Sequence, residues 1–176
     1  MLRGLVLASV LAAAPAHADP TPPSFTATAA LAYSYSSLNG FDNHDEDGPN
    51  VVVAAGYRTD PNSAIGASLA IGRESGRVVD EFENYSFSVV PIGIAAFAQG
   101  TAYDRLWGSA FLGVQLDRVD NNGTTGWDHG VLVGVEGGVD VVQFDEHRLG
   151  VYGRMQSALA SDFGYTAAMF GLAYRR

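Results

Sequence analysis

Three sets of residues in this 176-residue chain have types that could do chemistry. The first is an acid and a base, Glu136 and Arg154, with Tyr152 and Gln156 flanking the arginine at alternate positions. A lone charge in a protein interior is costly, so if both side chains point inward each requires the other. The simpler role is a structural ion pair; the sharper one is a gating or catalytic carboxylate. The second set is His129, Glu136 and either Ser109 or Ser157, the types of a nucleophile, base and acid relay. Such a relay needs the imidazole within hydrogen-bond reach of the hydroxyl. No His-x-Ser pair occurs, and Val131 stands where that serine would be. The third set is the run Phe41-Asp42-Asn43-His44-Asp45-Glu46-Asp47-Gly48. Asp42, His44, Asp45, Glu46 and Asp47 make it a weakly cation-attracting loop. The late bidentate Glu of an EF-hand loop is missing, so a solvated acidic loop is the simpler account and no metal site is expected. Gly130, Gly134, Gly137 and Gly138 fail the GxGxxG spacing, and no helix follows them, so no phosphate loop and no cofactor are expected.

Whether these residues meet depends on the elements that carry them. Period-two alternation dominates the chain after Thr21-Pro22-Pro23. Phe25, Ala27, Ala29, Leu31, Tyr33 and Tyr35 share one parity; Thr26, Thr28, Ala30, Ala32 and Ser34 share the other. That pattern predicts a strand. Eight such segments are expected, near 24–37, 49–58, 64–73, 82–98, 105–117, 127–143, 147–159 and 165–175. In the fourth, Tyr85, Phe87 and Val89 share a parity, while Ile92, Ile94 and Ala96 share the opposite one. A β-bulge at Val90-Pro91 would bring both groups to one face and excuse the missing proline N–H.

The connections alternate in length. Asp60-Pro61-Asn62, the Gly100 to Asp104 stretch and Asp145-Glu146 are short and carry turn residues. Leu38 to Gly48, Glu74 to Glu81 and Arg118 to Gly126 are longer and polar, with a shorter one at Ser161 to Gly164. Short turns at one end and longer loops at the other suit an even-stranded, up-and-down barrel. The longest apolar run, Val89 to Ala98, fits one tilted transmembrane strand and is too short for a spanning helix.

Face chemistry separates a membrane barrel from a soluble one. A soluble lipocalin-like barrel, the other reading open at this point, needs a charged outer parity. Here one parity is large and apolar: Ile65, Leu69 and Ile71; Leu106, Leu112, Val114 and Leu116; Val131, Val133 and Val135. The other is small and nearly uncharged, as in Ala64, Gly66, Ser68, Ala70 and Gly72. Small residues suit a narrow lumen, so the large parity is expected to face lipid. Phe25, Tyr35, Tyr57, Tyr85 and Tyr174 lie near strand ends on that parity, where aromatics favour a membrane–water interface. Trp107 has the inward parity. Glu136 and Arg154 do too, which makes them a lumen pair.

Composition agrees. Charged residues are only 16% of the chain, less than an ordinary soluble surface carries, and cysteine is absent. The net charge of -9 argues against nucleic acid as a partner. Residues 1–18 are expected to be a cleaved signal: a basic start at Arg3, an apolar stretch from Leu5 to Ala14 and the small-x-small site Ala16-His17-Ala18. The barrel domain would then cover residues 19–176. Its acids concentrate in and beside the long connections, where the arginines are Arg73, Arg77 and Arg118.

With its eight expected strands, its loop alternation and the ending Phe170-Gly171-Leu172-Ala173-Tyr174, the chain resembles small outer-membrane β-barrels of the OmpA and OmpX type. It departs from them by closing on Arg175-Arg176, not on an aromatic. The resemblance implies an all-β, eight-stranded antiparallel transmembrane barrel in the cell outer membrane. Both termini would be periplasmic, and no peptidoglycan-binding domain follows. It also implies lipid, lipopolysaccharide and the barrel-assembly machinery as partners of a monomer. A structural or surface-interaction role, with acidic loops presented outward, is the leading expectation. A lipid A-modifying hydrolase using His129 and a serine, or a narrow conduit, is the alternative.

Overall fold

Alternating large and small residues favour an extended chain whose two faces meet different surroundings, and here the extended segments close on themselves. The computed structural model describes residues 25–38, 44–79, 84–103, 105–121, 123–159 and 164–176. The expected signal segment lies outside them. The strands are β1 (Phe25–Leu38), β2 (His44–Asp60), β3 (Ser63–Gly72), β4 (Glu74–Val79), β5 (Asn84–Ala102), β6 (Leu106–Asn121), β7 (Thr124–Phe144), β8 (His147–Leu159) and β9 (Tyr165–Arg175). Every pairing is antiparallel, β3 and β4 each lie between β2 and β5, and β1 pairs with both β2 and β9. β4 continues the path of β3, so the ring has eight positions. Closure leaves no unpaired sheet edge.

Two sequence expectations need correction. No bulge forms at Val90-Pro91. The β5–β6 register runs unbroken from Phe87↔Asn121 to Ala102↔Leu106. Phe87, Val89, Pro91, Gly93, Ala95 and Phe97 are therefore all buried on one face, so Phe87 and Val89 point inward. The irregularity falls on the neighbouring strand, at Arg73 between β3 and β4, opposite the Val90-Pro91 pair that lacks one N–H. The Arg73 N–H donates to the Pro49 carbonyl at 3.0 Å, which holds the register across the gap. Bulges do occur in β2 at Arg58/Asp60 and in β7 at Asp140/Val142.

The second correction concerns the long polar connections. Much of Leu38–Gly48, Glu74–Glu81 and Arg118–Gly126 is strand, because polar residues on the inward parity have a polar lumen to enter. Glu46 and Glu74 are buried on that face, not loop acids in solvent, beside Asp117 and Asp128 from the ends of expected strands.

The outer face carries the large apolar side chains. Leu31, Val53, Ile65, Ile94, Leu112, Val135, Met155 and Leu172, from successive strands around the ring, are all exposed. On β6 this apolar parity runs from Leu106 to Leu116, the length of one tilted membrane-spanning strand. Aromatics rim it: Tyr33, Tyr35 and Trp127 at the long-connection end; Phe25, Tyr57, Phe144 and Tyr174 at the other. Phe25 meets Tyr57 edge to face at 6.1 Å. Of Tyr85 only the backbone is described.

The inner face alternates bulk across neighbouring strands. Phe97 pairs with Gly66, Phe87 with Gly76, Phe111 with Gly134 and Trp107 with Gly138. Each ring lies over the glycine opposite. A Cβ at position 134 would stand 2.3 Å from the Phe111 ring, so glycine is required there by close approach.

Candidate functional site

The lumen is filled by polar side chains in three tiers. The middle tier contains the expected acid and base. Register sets Glu136 of β7 directly against Arg154 of β8. Arg154 Nη1 lies 3.2 Å from Glu136 Oε2, with both side chains almost wholly buried. The Tyr152 hydroxyl donates to the same oxygen at 2.9 Å, and Ser109 Oγ donates to Glu136 Oε1 at 2.9 Å. The Arg154 guanidinium lies 3.8 Å from the centre of the Phe111 ring. Its Nε donates to Gln156 Oε1 at 2.7 Å, Gln156 donates to Gln115 at 3.2 Å, and Gln115 donates to Asp117 at 2.8 Å. The donors all point the same way, from the cation toward the acid, so each bond polarises the next.

The upper tier, at the long-connection end, is acidic. Glu74 accepts from Ser34 at 2.5 Å, Ser36 at 2.6 Å, Tyr165 at 2.8 Å and Asn50 at 3.3 Å. Neutral donors thus disperse its charge. Glu46 has no such support: it is 1% exposed, and neither carboxylate oxygen has a partner. It lies at the outer rim of the apolar belt, where the outward side chains beside it are Tyr35, Asp47 and Ser75. Burial, reinforced by the neighbouring Glu74 and Asp117 charges, pushes its carboxyl up to about 8.

The lower tier, at the short-turn end, is built on Asp140. Its Oδ2 takes Arg175 at 3.0 Å and Arg148 at 3.4 Å. Arg175 also lies over Trp107, which stacks on Tyr152.

The remaining sequence candidates do not assemble. His129 is exposed on the outer wall, whereas Glu136 and Ser109 are inside. Ser157 pairs with Val133, four residues along β7 from His129 or about 13 Å at strand rise, and it bonds to the Tyr165 carbonyl and Thr166. The expected cation-attracting loop is also rearranged. Glu46 and Asp47 fall on opposite sides of the wall. Of His44 and Asp45 only the backbone is described, within β2, and Asp42 lies outside the described residues. Among the described residues no three Asp, Glu or His side chains converge as metal ligands would. Sequence reasoning missed Glu74, the inward burial of Glu46 and the arginine partners of Asp140. For Glu46 and Glu74 the signal was inward parity, which their polarity masked by suggesting loops.

No protein-family model and no curated protein matches the sequence. Solved structures do match its fold. Neisserial surface protein A superposes with a TM-score of 0.60 at 16% identity, covering 88% of this chain and 98% of that one. Ail of Yersinia pestis, in complex with the heparin analogue sucrose octasulfate, gives 0.62 at 12% identity, covering 89% and 100%. The outer-membrane protein OprG of Pseudomonas aeruginosa gives 0.51 at 11% identity, covering 86% and 95%. A closed ring of antiparallel strands, an apolar outer belt, a polar filled lumen and these likenesses together describe the fold of a small outer-membrane β-barrel of the OmpA and OmpX type.

Proposed function

We propose that the protein resides in the cell outer membrane as a lipid-embedded structural or surface-interaction barrel and not as an enzyme. One observation carries this: large apolar side chains are exposed on every strand around the ring, while the charged residues between the two rims turn inward. In water that arrangement would expose far more contiguous apolar surface than a soluble monomer tolerates. In lipid it satisfies both faces. The short turns then face the periplasm with the C-terminus, and the long hairpins project outward.

The filled middle tier favours a structural wall over a conduit. Arg154, Gln156, Gln115 and Leu132 occupy the lumen of a barrel that is narrow by strand number. At the outward end Glu74, Asp117 and Asp128 make the mouth acidic. A surface partner there would be neutral or basic, unlike the polysulfate bound by Ail. Lipid, lipopolysaccharide and assembly machinery are the partners this reading implies, for a monomer that follows an N-terminal signal of residues 1–18.

The test is solvent dependence with fractionation. The mature chain should sediment with outer membranes and recover strand circular dichroism and protease resistance only in detergent or lipid. A folded, protease-resistant monomer in plain buffer would overturn the reading.

A further inference from the structure

The short-turn mouth of the lumen holds an unusual excess of guanidinium. A cavity of about 50 Å³ opens there, lined by Arg58, Arg148, Arg175 and Arg176 together with the amides of Asn62 and Gln99. Among the described residues no acidic side chain lines it, although Arg176 is paired with Glu146 at 3.2 Å on the rim, which leaves Arg58, Arg148 and Arg175 as the cations of the mouth. Asp140 is buried, at 3% exposure, and its Oδ2 already takes both Arg148 and Arg175. One carboxylate therefore serves two cations, and the Arg58 charge acts on Arg175 as well. Arg58 makes no ion pair among the described residues. Arg175 is only 6% exposed, and its Nε has no acceptor.

The framework holds these groups apart by register. Arg58 pairs with Ala64, and Ala64 with Gln99, which makes one row across β2, β3 and β5. Arg148 pairs with Arg175, a second row across β8 and β9, which β1 alone separates from β2 around the ring. Closure of the barrel keeps the two rows from collapsing together or drifting apart. The space between them admits about four water-sized groups, the bulk of one tetrahedral oxyanion.

We propose that this mouth binds a single phosphate group, with Arg58 and Arg175 as the cationic donors and Asn62 and Gln99 as neutral ones. The planar guanidinium fork suits phosphate oxygens, and the unpartnered Arg175 N–H gains an acceptor. Asp140 then serves to hold Arg175 and Arg148 in place, not to neutralise the site. The phosphate could be free inorganic or organic phosphate, or the headgroup of a phospholipid in the adjacent leaflet. The chemistry of recognition is the same for both.

Calorimetry on the full mature barrel, folded in an uncharged detergent at low ionic strength, separates these sources. Two probes are titrated: inorganic phosphate and dihexanoyl phosphatidylglycerol. Arg58→Gln removes an exposed side chain, so folding is retained. Arg118→Gln changes an exposed arginine at the other end and reports diffuse charge. Saturable phosphate binding that weakens about tenfold or more in Arg58→Gln, and is unchanged in Arg118→Gln, supports the site with a free phosphate ligand. The same pattern with phosphatidylglycerol alone supports it with a lipid headgroup. The proposal is overturned if neither probe saturates, if Arg58→Gln binds as tightly as the parent, or if Arg118→Gln weakens binding equally.

Discussion

Replacing Arg154 with Met, Glu136 with Gln, and both together measures how far the middle tier holds the barrel shut. Arg154→Met removes the 3.2 Å pair with Glu136, the 2.7 Å bond to Gln156 and the stacking on Phe111, and it strands a buried carboxylate. Breaking a buried pair from one side costs roughly 3–5 kcal/mol. Loss of the cation over the ring adds about 1 kcal/mol, and the Ser109 and Tyr152 donors that still reach Glu136 offset about the same amount. The expected loss is therefore about 3–5 kcal/mol. Glu136→Gln is milder, at roughly 1–3 kcal/mol, because a neutral amide can still accept from Ser109 or Tyr152 while Arg154 keeps Gln156 and Phe111. The double variant leaves no stranded carboxylate, so it should lose less than the sum of the singles, with a coupling of about 2–3 kcal/mol. Equilibrium urea unfolding in lipid vesicles, followed by tryptophan fluorescence, reads all four corners of the cycle. Strict additivity, with coupling under about 0.5 kcal/mol, would refute the argument that each charge stays buried because of the other.

Three further outcomes follow from the same geometry. Leu112→Arg places a cation at an outward position near the middle of the apolar belt, and should cost roughly 2–4 kcal/mol in vesicle unfolding, against no loss if that face meets water. Gly134→Ala pushes a methyl against both the Phe111 ring and the Met155 carbonyl and should cost about 1–3 kcal/mol. Adding Phe111→Leu should recover part of that loss if the ring is the obstacle. For Glu46 the folded carboxyl titrates at about 8 and the ordinary one at 4.5, so the folded state holds a proton that the unfolded chain has released between those values. Its contribution to stability is complete below about 4.5 and is lost as pH rises through about 8. Glu46→Gln should match the parent near pH 4.5 and exceed it by roughly 2–4 kcal/mol near pH 9 in paired urea titrations, and equal stability at both values would refute the assignment.

The fold was legible because a closed barrel writes itself in parity. Ile65, Leu112 and Val131 alternate with Ala64, Gly113 and Gly130, and each set faces the side its size suited. The Glu136–Arg154 relation followed from the same rule, since two charges on the inward parity of adjacent strands had to meet. The rule failed where polarity was taken to mean solvent. Glu46 and Glu74 fell in hydrophilic stretches that suggested loops, yet the hairpins run on past the apolar belt and keep the same parity. Pro91 misled for a related reason. A missing N–H suggested a bulge in its own strand, but the partner broke instead at Arg73, and this preserved the inward set from Phe87 to Phe97. The triad candidates failed because types were considered without parity: His129 and Ser109 have opposite faces and are separated by the barrel wall.

The three tiers together also bear on whether the lumen could pass ions. The acids Glu46, Glu74, Asp117 and Asp128 stand at one end, and the arginines around Asp140 at the other. Between them Arg154 is fixed by Glu136 on one side, and on the other starts the chain of donors that ends on Asp117. A cation drawn in by the acidic mouth next meets the buried Arg154 guanidinium. An anion drawn in at the arginine end would have to pass the Glu136 carboxylate and then the acidic tier. Each sign is attracted at one mouth and opposed within, so the ordering that makes the core self-consistent also raises a barrier to both. Opening such a path would require separating Arg154 from Glu136 and breaking the amide chain through Gln156 and Gln115. A lumen built in this way is a plug whose charges are arranged for cohesion.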